Sequence, residues 1–159
     1  MIERIISGGQ TGADRAGLDA AMLEGVEYGG WLPKGRMSED GAVPRRYKHM
    51  KEMTTAKYPP RTRKNVLDSD GTVIFTHGSL KASRGSRLTM RIATVEKKQR
   101  LWINLKMTTL DEAVDDVYRW LVAGRVKVLN VAGSRESKAT GIHDDVLEII
   151  QRVIRRFEP

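Results

Sequence analysis

The stretch Ser7–Asp14, which reads Ser-Gly-Gly-Gln-Thr-Gly-Ala-Asp, constrains the fold more than any other part of the chain. It follows a short apolar run that ends at Ile6 and precedes small residues at helical spacing, so a buried strand should lead through it into a helix. Glycine lets the backbone turn sharply and bring its N–H groups to a ligand, and the helix that follows begins with unpaired N–H groups. We therefore interpret this glycine-rich turn as an anion-binding loop. Its candidate binding residues are Gly8, Gly9, Gln10, Thr11, Gly12, Asp14 and Arg15.

A turn without any ligand is the alternative interpretation. The stretch matches neither the mononucleotide pattern G-x-x-x-x-G-K-[ST] nor the dinucleotide pattern G-x-G-x-x-G. Thr11 and Asp14 also have the spacing of a capping box, which explains both residues structurally. A carboxylate at Asp14 would repel a phosphate, unless Arg15 offsets it or the carboxylate accepts a hydrogen bond from a ligand hydroxyl or amino group.

Strands and helices alternate along the rest of the chain. Apolar runs predict strands over residues 2–6, 28–32, 72–75, 101–105 and 126–131, and helical patterns follow each of them. This alternation predicts a single α/β domain over residues 1–159, with a mainly parallel five-stranded sheet and helices on both faces. A strand order of 2-1-3-4-5 would make the first and third predicted strands neighbours.

A second candidate anion site follows the third predicted strand. Ser86 is a natural N-cap for the next helix, Gly85 admits a close backbone approach, and Arg84 and Arg87 supply positive charge. A capped helix with two solvated arginines is the alternative. In the strand order given above, this loop would converge with the glycine-rich turn at the carboxyl ends of two neighbouring strands, where parallel sheets bind ligands.

The net charge of +8 is concentrated in residues 34–64, which carry +7 of it. Their basic residues are Lys34, Arg36, Arg45, Arg46, Lys48, Lys51, Lys57, Arg61, Arg63 and Lys64. A long proline-punctuated stretch of this kind, residues 33–60, is either a loop over the ligand site or a solvated surface. Lys34, Gly35 and Arg36 at its base are candidate ligand contacts. Nucleic-acid binding is a further hypothesis, but we disfavour it because only Tyr47 and Tyr58 accompany the cations for stacking.

Several kinds of chemistry are excluded or disfavoured. The chain has no Cys, which removes disulfides and thiolate chemistry, and no protein-bound metal site is evident. Asp68–Thr72 matches the phosphatase pattern D-x-D-G-T, but the apolar strand follows the motif instead of preceding it, so a turn is favoured. We expect a cytoplasmic protein without a membrane segment, because no secretory leader or membrane-length apolar run is apparent.

A polar loop, residues 134–137, follows the last predicted strand. Arg135 is a candidate ligand contact, and pairing between Arg135 and Glu136 is the alternative. Asp14 and Glu136 are the only obvious carboxylic acids for catalysis, and no Ser, His, Asp arrangement is apparent.

Three long motifs, supported by Asp68–Thr72, resemble those of the putative molybdenum carrier family. They are Ile6–Arg15, Gly29–Arg36 and Val128–Ser137, so the resemblance extends over nearly the whole chain. That family is similar to algal molybdenum-cofactor carriers and to a Rossmann-like superfamily that includes lysine-decarboxylase-like phosphoribohydrolases and a DNA-processing protein. The resemblance implies a Rossmann-like three-layer fold and a phosphorylated, nucleotide-like ligand, with molybdopterin as one candidate. It also implies a dimer or tetramer.

One loop departs from the pattern of the phosphoribohydrolases. Their motif P-G-G-x-G-T-x-x-E ends in a catalytic Glu, whereas Ser83–Thr89 contains no acid, and Arg84 replaces a glycine usual in the carrier family. Arg84 would either add a charge contact or narrow the pocket. The sequence therefore favours a protein that binds or carries its ligand over the alternative, an enzyme that cleaves the N-glycosidic bond of a nucleoside monophosphate.

Overall fold

A computed structural model describes residues 1–159 and shows strands and helices in alternation. The strands are β1 (Arg4–Ile6), β2 (Glu27–Leu32), β3 (Met37–Ser38), β4 (Gly41–Ala42), β5 (Met50–Glu52), β6 (Gly71–Thr76), β7 (Gln99–Asn104) and β8 (Val128–Gly133). The helices are α1 (Ala13–Leu23), α2 (Tyr58–Asp68), α3 (Arg84–Val95), α4 (Leu110–Gly124) and α5 (Ile142–Arg156). The predicted α/β class and three-layer architecture are confirmed.

Six strands form the central sheet, in the order β5-β2-β1-β8-β6-β7, and every neighbouring pair is parallel. The predicted strand order is wrong, because β8 pairs with both β1 and β6 and separates them. The predicted count of five strands is also one too low, since β5 lies inside the basic segment and extends the edge beside β2. Burial explains the arrangement: every residue of β6 is buried, whereas β7 begins with the exposed Gln99 and Arg100 and lies at an edge.

The main apolar core lies between the sheet and helices α1, α4 and α5. It contains inward side chains of β1, β6 and β8 and the apolar face of α5, which packs on α1 and α4. Helices α2 and α3 pack on each other over the opposite face of the sheet. The loops that follow β1, β6 and β8 therefore lie side by side at the carboxyl edge of the central strands, where the site is built.

The basic segment is anchored to the body of the protein. Val43 and Tyr47 are buried with Leu18 and Leu32 in a second, smaller core. Residues 37–42 form a separate antiparallel hairpin, β3–β4. No helix in the structure has the length and apolar character that a membrane crossing needs.

Helix α1 lies close to the sheet because its inner face carries small residues. A Cβ atom added at Gly17 would lie 2.6 Å from the Cβ of Val131 on β8. Val131 is fully buried and cannot retreat without disturbing the sheet.

We expect Gly17→Ala to lower the free energy of unfolding by about 1 to 3 kcal/mol, because the new methyl group overpacks the contact between α1 and β8. Gly85→Ala is the matched control, since Gly85 is also helical but a Cβ there meets no atom within 4 Å. Urea unfolding of both variants measures the difference. Equal stabilities for the two variants would contradict this account of how α1 is packed.

Candidate ligand-binding site

A cavity of about 390 Å³ opens at the carboxyl ends of the central strands. Its wall combines the glycine-rich turn after β1, the first turns of α1, α2 and α3, and the loop that follows β8. The polar and charged residues that line it are Gln10, Asp14, Tyr58, Arg61, Thr62, Asn65, Ser83, Arg84, Thr89, Asn130, Arg135 and Lys138. Four cationic side chains thus share the cavity with one carboxylate.

Arg61 is the most buried cation of the site, with 7% of its surface exposed. Its guanidinium lies against the backbone of Gly8, where a Cβ would come within 2.3 Å of Nη1, and Nη1 donates a hydrogen bond to the Gly8 carbonyl. On another side the Tyr58 ring lies 5.2 Å from the guanidinium carbon. Arg61 Nε is the only buried side-chain nitrogen or oxygen without a hydrogen-bond partner. Burial lowers the pKa of Arg61, and the nearby Asp14 charge opposes this effect.

Asp14 supplies the carboxylate of the cavity and is only 8% exposed. Its Oδ2 accepts a hydrogen bond from the N–H of Gln10 at 3.2 Å. Its Oδ1 has no donor in the protein and is not fully buried, so it is open to the cavity that Asp14 lines. Burial raises the pKa of Asp14 to about 6, although Arg61 and the Gln10 N–H act in the opposite direction.

The predicted capping box is wrong. The N-cap of α1 is Gly12, in a positive-φ conformation, and no side chain caps the helix. Thr11 Oγ1 instead donates to Glu39 and accepts from the N–H of Glu136 at 3.1 Å. Thr11 therefore ties the glycine-rich turn to two other loops.

The glycine-rich turn uses most of its own N–H groups. Those of Gly9, Gln10 and Thr11 donate to side-chain oxygens of Ser7, Asp14 and Gln10, respectively. The turn thus differs from the cradle of free N–H groups that the sequence suggested. It positions a carboxylate, at Asp14, and presents a carbonyl, at Gly8, to Arg61.

The second predicted anion loop also contributes to the cavity. Arg84 and Gly85, in the first turn of α3, line it. Ser86 was predicted as the N-cap, but the N-cap is Ser83, and no side chain caps the helix. Ser86 is buried, outside the cavity lining, and shares a 2.7 Å hydrogen bond with the Ser83 hydroxyl. The first N–H groups of α3 are left without a side-chain cap beside Arg84.

Of the sequence-predicted residues, the structure brings Gly8, Gln10, Asp14, Gly85 and Arg135 to the cavity. The others lie outside its lining: Gly9, Thr11, Gly12, Arg15, Lys34, Gly35, Arg36, Ser86 and Glu136.

Two of these outlying residues are glycines that the backbone needs because a side chain would not fit at their positions. Gly9 has a φ of +72°, and a Cβ there would lie 2.5 Å from Leu32 Cδ2. At Gly12 an added Cβ would lie 2.4 Å from the Ser134 carbonyl oxygen, so the loops after β1 and β8 touch through a glycine.

Three of the four outlying charged residues have side-chain partners within the chain. Arg15 pairs with Asp40 at 2.7 Å, and its Nε donates to the Gly9 carbonyl. Arg36 donates to three backbone carbonyls of residues 43–47. Glu136 accepts from two N–H groups at the start of α5 and does not pair with Arg135.

Of the ten basic residues of the segment 34–64, only Arg61 lines the cavity. Besides Arg36 and Arg61, three of the segment's cations pair with carboxylates: Arg46 with Asp19, Arg63 with Glu96, and Lys64 with Asp68. These pairs reduce the charge available to a nucleic-acid partner.

The β3–β4 hairpin fixes the rim of the cavity through Glu39. The Glu39 carboxylate accepts from the Ser137 N–H at 3.2 Å and lies 3.7 Å from the Arg135 guanidinium, which lines the cavity. Burial opposes ionisation of Glu39, but hydrogen bonds from Ser137 and Thr11 outweigh it and lower its pKa. Arg135 is thus held at the rim by a carboxylate that the sequence did not single out.

The sequence also failed to single out Arg61, Tyr58 and Lys138 as site residues. Arg61 was counted only as one cation of the basic segment, and in the structure it lies in the first turn of α2, after Pro59 and Pro60. The structure contains no group of three or more His, Cys, Asp or Glu side chains that could hold a metal ion.

Comparison with known proteins identifies relatives of the whole domain. Residues 5–154 match the model of the circularly permutated YpsA SLOG family. The fold is similar to the crystal structure of a protein from Syntrophus aciditrophicus SB named "Putative molybdenum carrier protein", with a TM-score of 0.92 and 45% identity over 96% of this chain and 95% of that one. No curated protein matches. The resemblance predicted from the sequence motifs is confirmed.

Asp14→Asn should make the stability less dependent on pH. Because the pKa of Asp14 rises from 3.8 to about 6 on folding, ionising this carboxyl costs the folded state up to about 3 kcal/mol above pH 6 and nothing below pH 4. Asparagine cannot ionise, and its carbonyl oxygen still accepts from the Gln10 N–H. We therefore expect the variant to be more stable than the parent at pH 8 and equally stable at pH 4.

Denaturant unfolding between pH 4 and 8 measures this difference. Asp116→Asn is the control, because Asp116 is only partly buried and pairs only with Arg119 on the surface of α4. A stability difference for Asp14→Asn that is the same at pH 4 and pH 8 would show that its carboxyl is not destabilised by burial.

Proposed function

The chain belongs to the circularly permutated YpsA SLOG family, and we propose that it binds or carries a phosphorylated, nucleotide-like ligand in the cavity between α1, α2, α3 and the loop after β8. The observation that carries this proposal is the buried Arg61 in the cavity wall, whose Nη2 has no partner in the chain and, unlike Nε, is not fully enclosed. A buried charged donor is costly when it is unpaired, and an acceptor on a ligand would satisfy it.

The rim supports the phosphate part of the proposal. Arg84, Arg135 and Lys138 line the cavity with the uncapped first turn of α3. Guanidinium groups bind phosphate oxygens in a bidentate manner, and helix N-termini favour anions. The volume falls in the range of small-molecule sites, and Tyr58 and Leu88 supply apolar surface for a planar ring.

Molybdopterin is one candidate for the ligand, since a similar protein is named as a molybdenum carrier. Its phosphate suits the cationic rim and its pterin ring is planar, as is the base of a nucleotide. No resident metal is required by this proposal, because the ligand would bring its molybdenum as cargo.

The proposal predicts that phosphorylated ligands raise the melting temperature. A ligand at 100 times its Kd stabilises the folded state by about 2.7 kcal/mol, which is about 5 to 10 °C for a domain of this size. The probes are the four common nucleoside 5′-monophosphates, a pterin monophosphate, inorganic phosphate and molybdate. If none of them shifts the melting temperature, the proposed function is wrong.

Arg84→Gln should weaken binding of the best phosphorylated probe about tenfold, because it removes a charged donor from the rim. Arg87→Gln is the matched control, since Arg87 lies one turn further along α3, is exposed and does not line the cavity. Isothermal titration at low and moderate salt measures both variants. Equal losses for the two variants would mean that only the overall charge matters.

An N-glycosidase acting on nucleoside monophosphates is the second candidate, favoured by the Asp14 carboxyl in the cavity, whose pKa of about 6 suits proton transfer. Glu136 is occupied at the start of α5. Incubation with each nucleoside monophosphate, followed by chromatography for free base, tests this candidate. If the parent releases free base and Asp14→Asn does not, the N-glycosidase hypothesis is favoured over the carrier hypothesis. If the parent releases no base above background, the N-glycosidase hypothesis is wrong.

A further inference from the structure

We infer that the cavity selects a heterocycle with a 2-amino-4-oxo edge, the edge that guanine and pterin share, through Asp14 and Arg61. This inference rests on the proposed function and names the ligand class of the same site. It follows from which hydrogen-bond donors and acceptors these two residues leave free.

Asp14 leaves a hydrogen-bond acceptor free. One carboxylate oxygen is held by the Gln10 N–H, and the other is open to the cavity without a protein donor. The residue is 8% exposed, so bulk water solvates it poorly. A ligand satisfies such a carboxylate best by presenting two adjacent N–H donors, because each carboxylate oxygen can accept more than one hydrogen bond.

Arg61 leaves a hydrogen-bond donor free. Its Nη1 is used on the Gly8 carbonyl and its Nε is fully enclosed, but its Nη2 has no partner and is not enclosed, so it can donate to a ligand in the cavity that Arg61 lines. Arg61 is held by the Gly8 carbonyl and Asp14 by the Gln10 N–H, two residues further along the same turn, and both side chains line the cavity. The wall therefore offers a donor beside an acceptor, and a matching ligand edge must present an acceptor beside donors.

This pattern discriminates among the common bases. The guanine edge presents a carbonyl oxygen, a ring N–H and an amino group in a row, which supplies one acceptor and two adjacent donors. Pterin presents the same row. Adenine and cytosine have a ring acceptor next to their amino group, and uracil has a single N–H between two carbonyls, so none of the three offers two adjacent donors to a carboxylate.

The cavity also holds cations for the phosphate of such a ligand. Arg84 belongs to α3 and Lys138 to the loop after β8, whereas Asp14 and Arg61 belong to the first turns of α1 and α2. A molecule that carries both the 2-amino-4-oxo edge and a phosphate can use both groups of residues at once. The chemistry is shared by guanosine 5′-monophosphate and by phosphorylated pterins, including molybdopterin.

Titration of the full chain with matched nucleotides tests the inference. We expect guanosine monophosphate to bind at least tenfold more tightly than inosine monophosphate, which lacks only the 2-amino group, and more tightly still than adenosine monophosphate. Equal affinities for these three nucleotides would overturn the inference while leaving the proposed function intact. Failure of every phosphorylated probe, pterin monophosphate included, would overturn both.

Asp14→Asn separates a role in selection from a role in folding. The carboxamide offers one acceptor and one donor, so we expect it to lose at least tenfold in affinity for guanosine monophosphate and to gain affinity for xanthosine monophosphate, whose 2-oxo group accepts. Asp116→Asn should leave both affinities unchanged. A variant that binds guanosine monophosphate as the parent does, or that weakens both nucleotides equally, would overturn the role of Asp14.

A second comparison, with pterins, tests whether a pterin or a guanine nucleotide supplies the 2-amino-4-oxo edge. A pterin monophosphate is compared with the corresponding lumazine, in which a 2-oxo group replaces the amino group. Tighter binding of the pterin than of both the lumazine and guanosine monophosphate supports the inference with a pterin as the source. Tighter binding of guanosine monophosphate than of the pterin supports it with a nucleotide as the source. Equal binding of the pterin and the lumazine, both at least as tight as that of guanosine monophosphate, overturns it.

Discussion

The site depends on a guanidinium buried against a piece of backbone that has no side chain. Arg61 reaches the carboxyl end of β1 only because Gly8 leaves room for it, and it is held there by the Gly8 carbonyl. Its charge in turn makes a buried carboxylate at Asp14 tolerable. Each of the two groups loses solvation on folding, and their mutual attraction offsets only part of that loss, since the pKa of Asp14 is still raised. The cavity is thus built from groups that the free protein does not fully satisfy.

The position of β8 explains why residues from both ends of the chain meet at this cavity. This strand pairs with β1 on one side and β6 on the other, so the loop that carries Arg135 lies between the glycine-rich turn and the start of α3. Gly12 lets the glycine-rich turn contact the loop after β8, because it has no side chain. Contacts between these loops connect distant residues, such as Thr11 and Glu136, which are 125 positions apart. The site therefore forms only when the centre of the sheet is complete.

Sequence patterns predicted the elements and the architecture well, because apolar periodicity and glycine or proline boundaries are local signals. The strand order was wrong because it depends on which buried strand, β6 or β8, pairs with β1, and both have nearly continuous apolar sequences. The motif around Gly8 did indicate the site, but its N–H groups are used internally, which a run of glycines cannot reveal. Arg61 was missed because nothing in a basic segment marks the one cation that a neighbouring glycine allows to be buried.

A bound ligand would offset the desolvation cost of Asp14 and Arg61 that the free protein bears. In the free protein the Asp14 carboxylate and the Arg61 guanidinium are both under-solvated, so some stability is given up to keep them in the cavity. A molecule that donates to the first and accepts from the second recovers that stability on binding, and a molecule with the reverse pattern cannot. Because the recovered free energy comes from groups already fixed by Gly8 and Gln10, little ordering has to accompany binding. The selectivity that we propose would therefore be a consequence of how the glycine-rich turn folds, even though the turn itself keeps few N–H groups for a ligand.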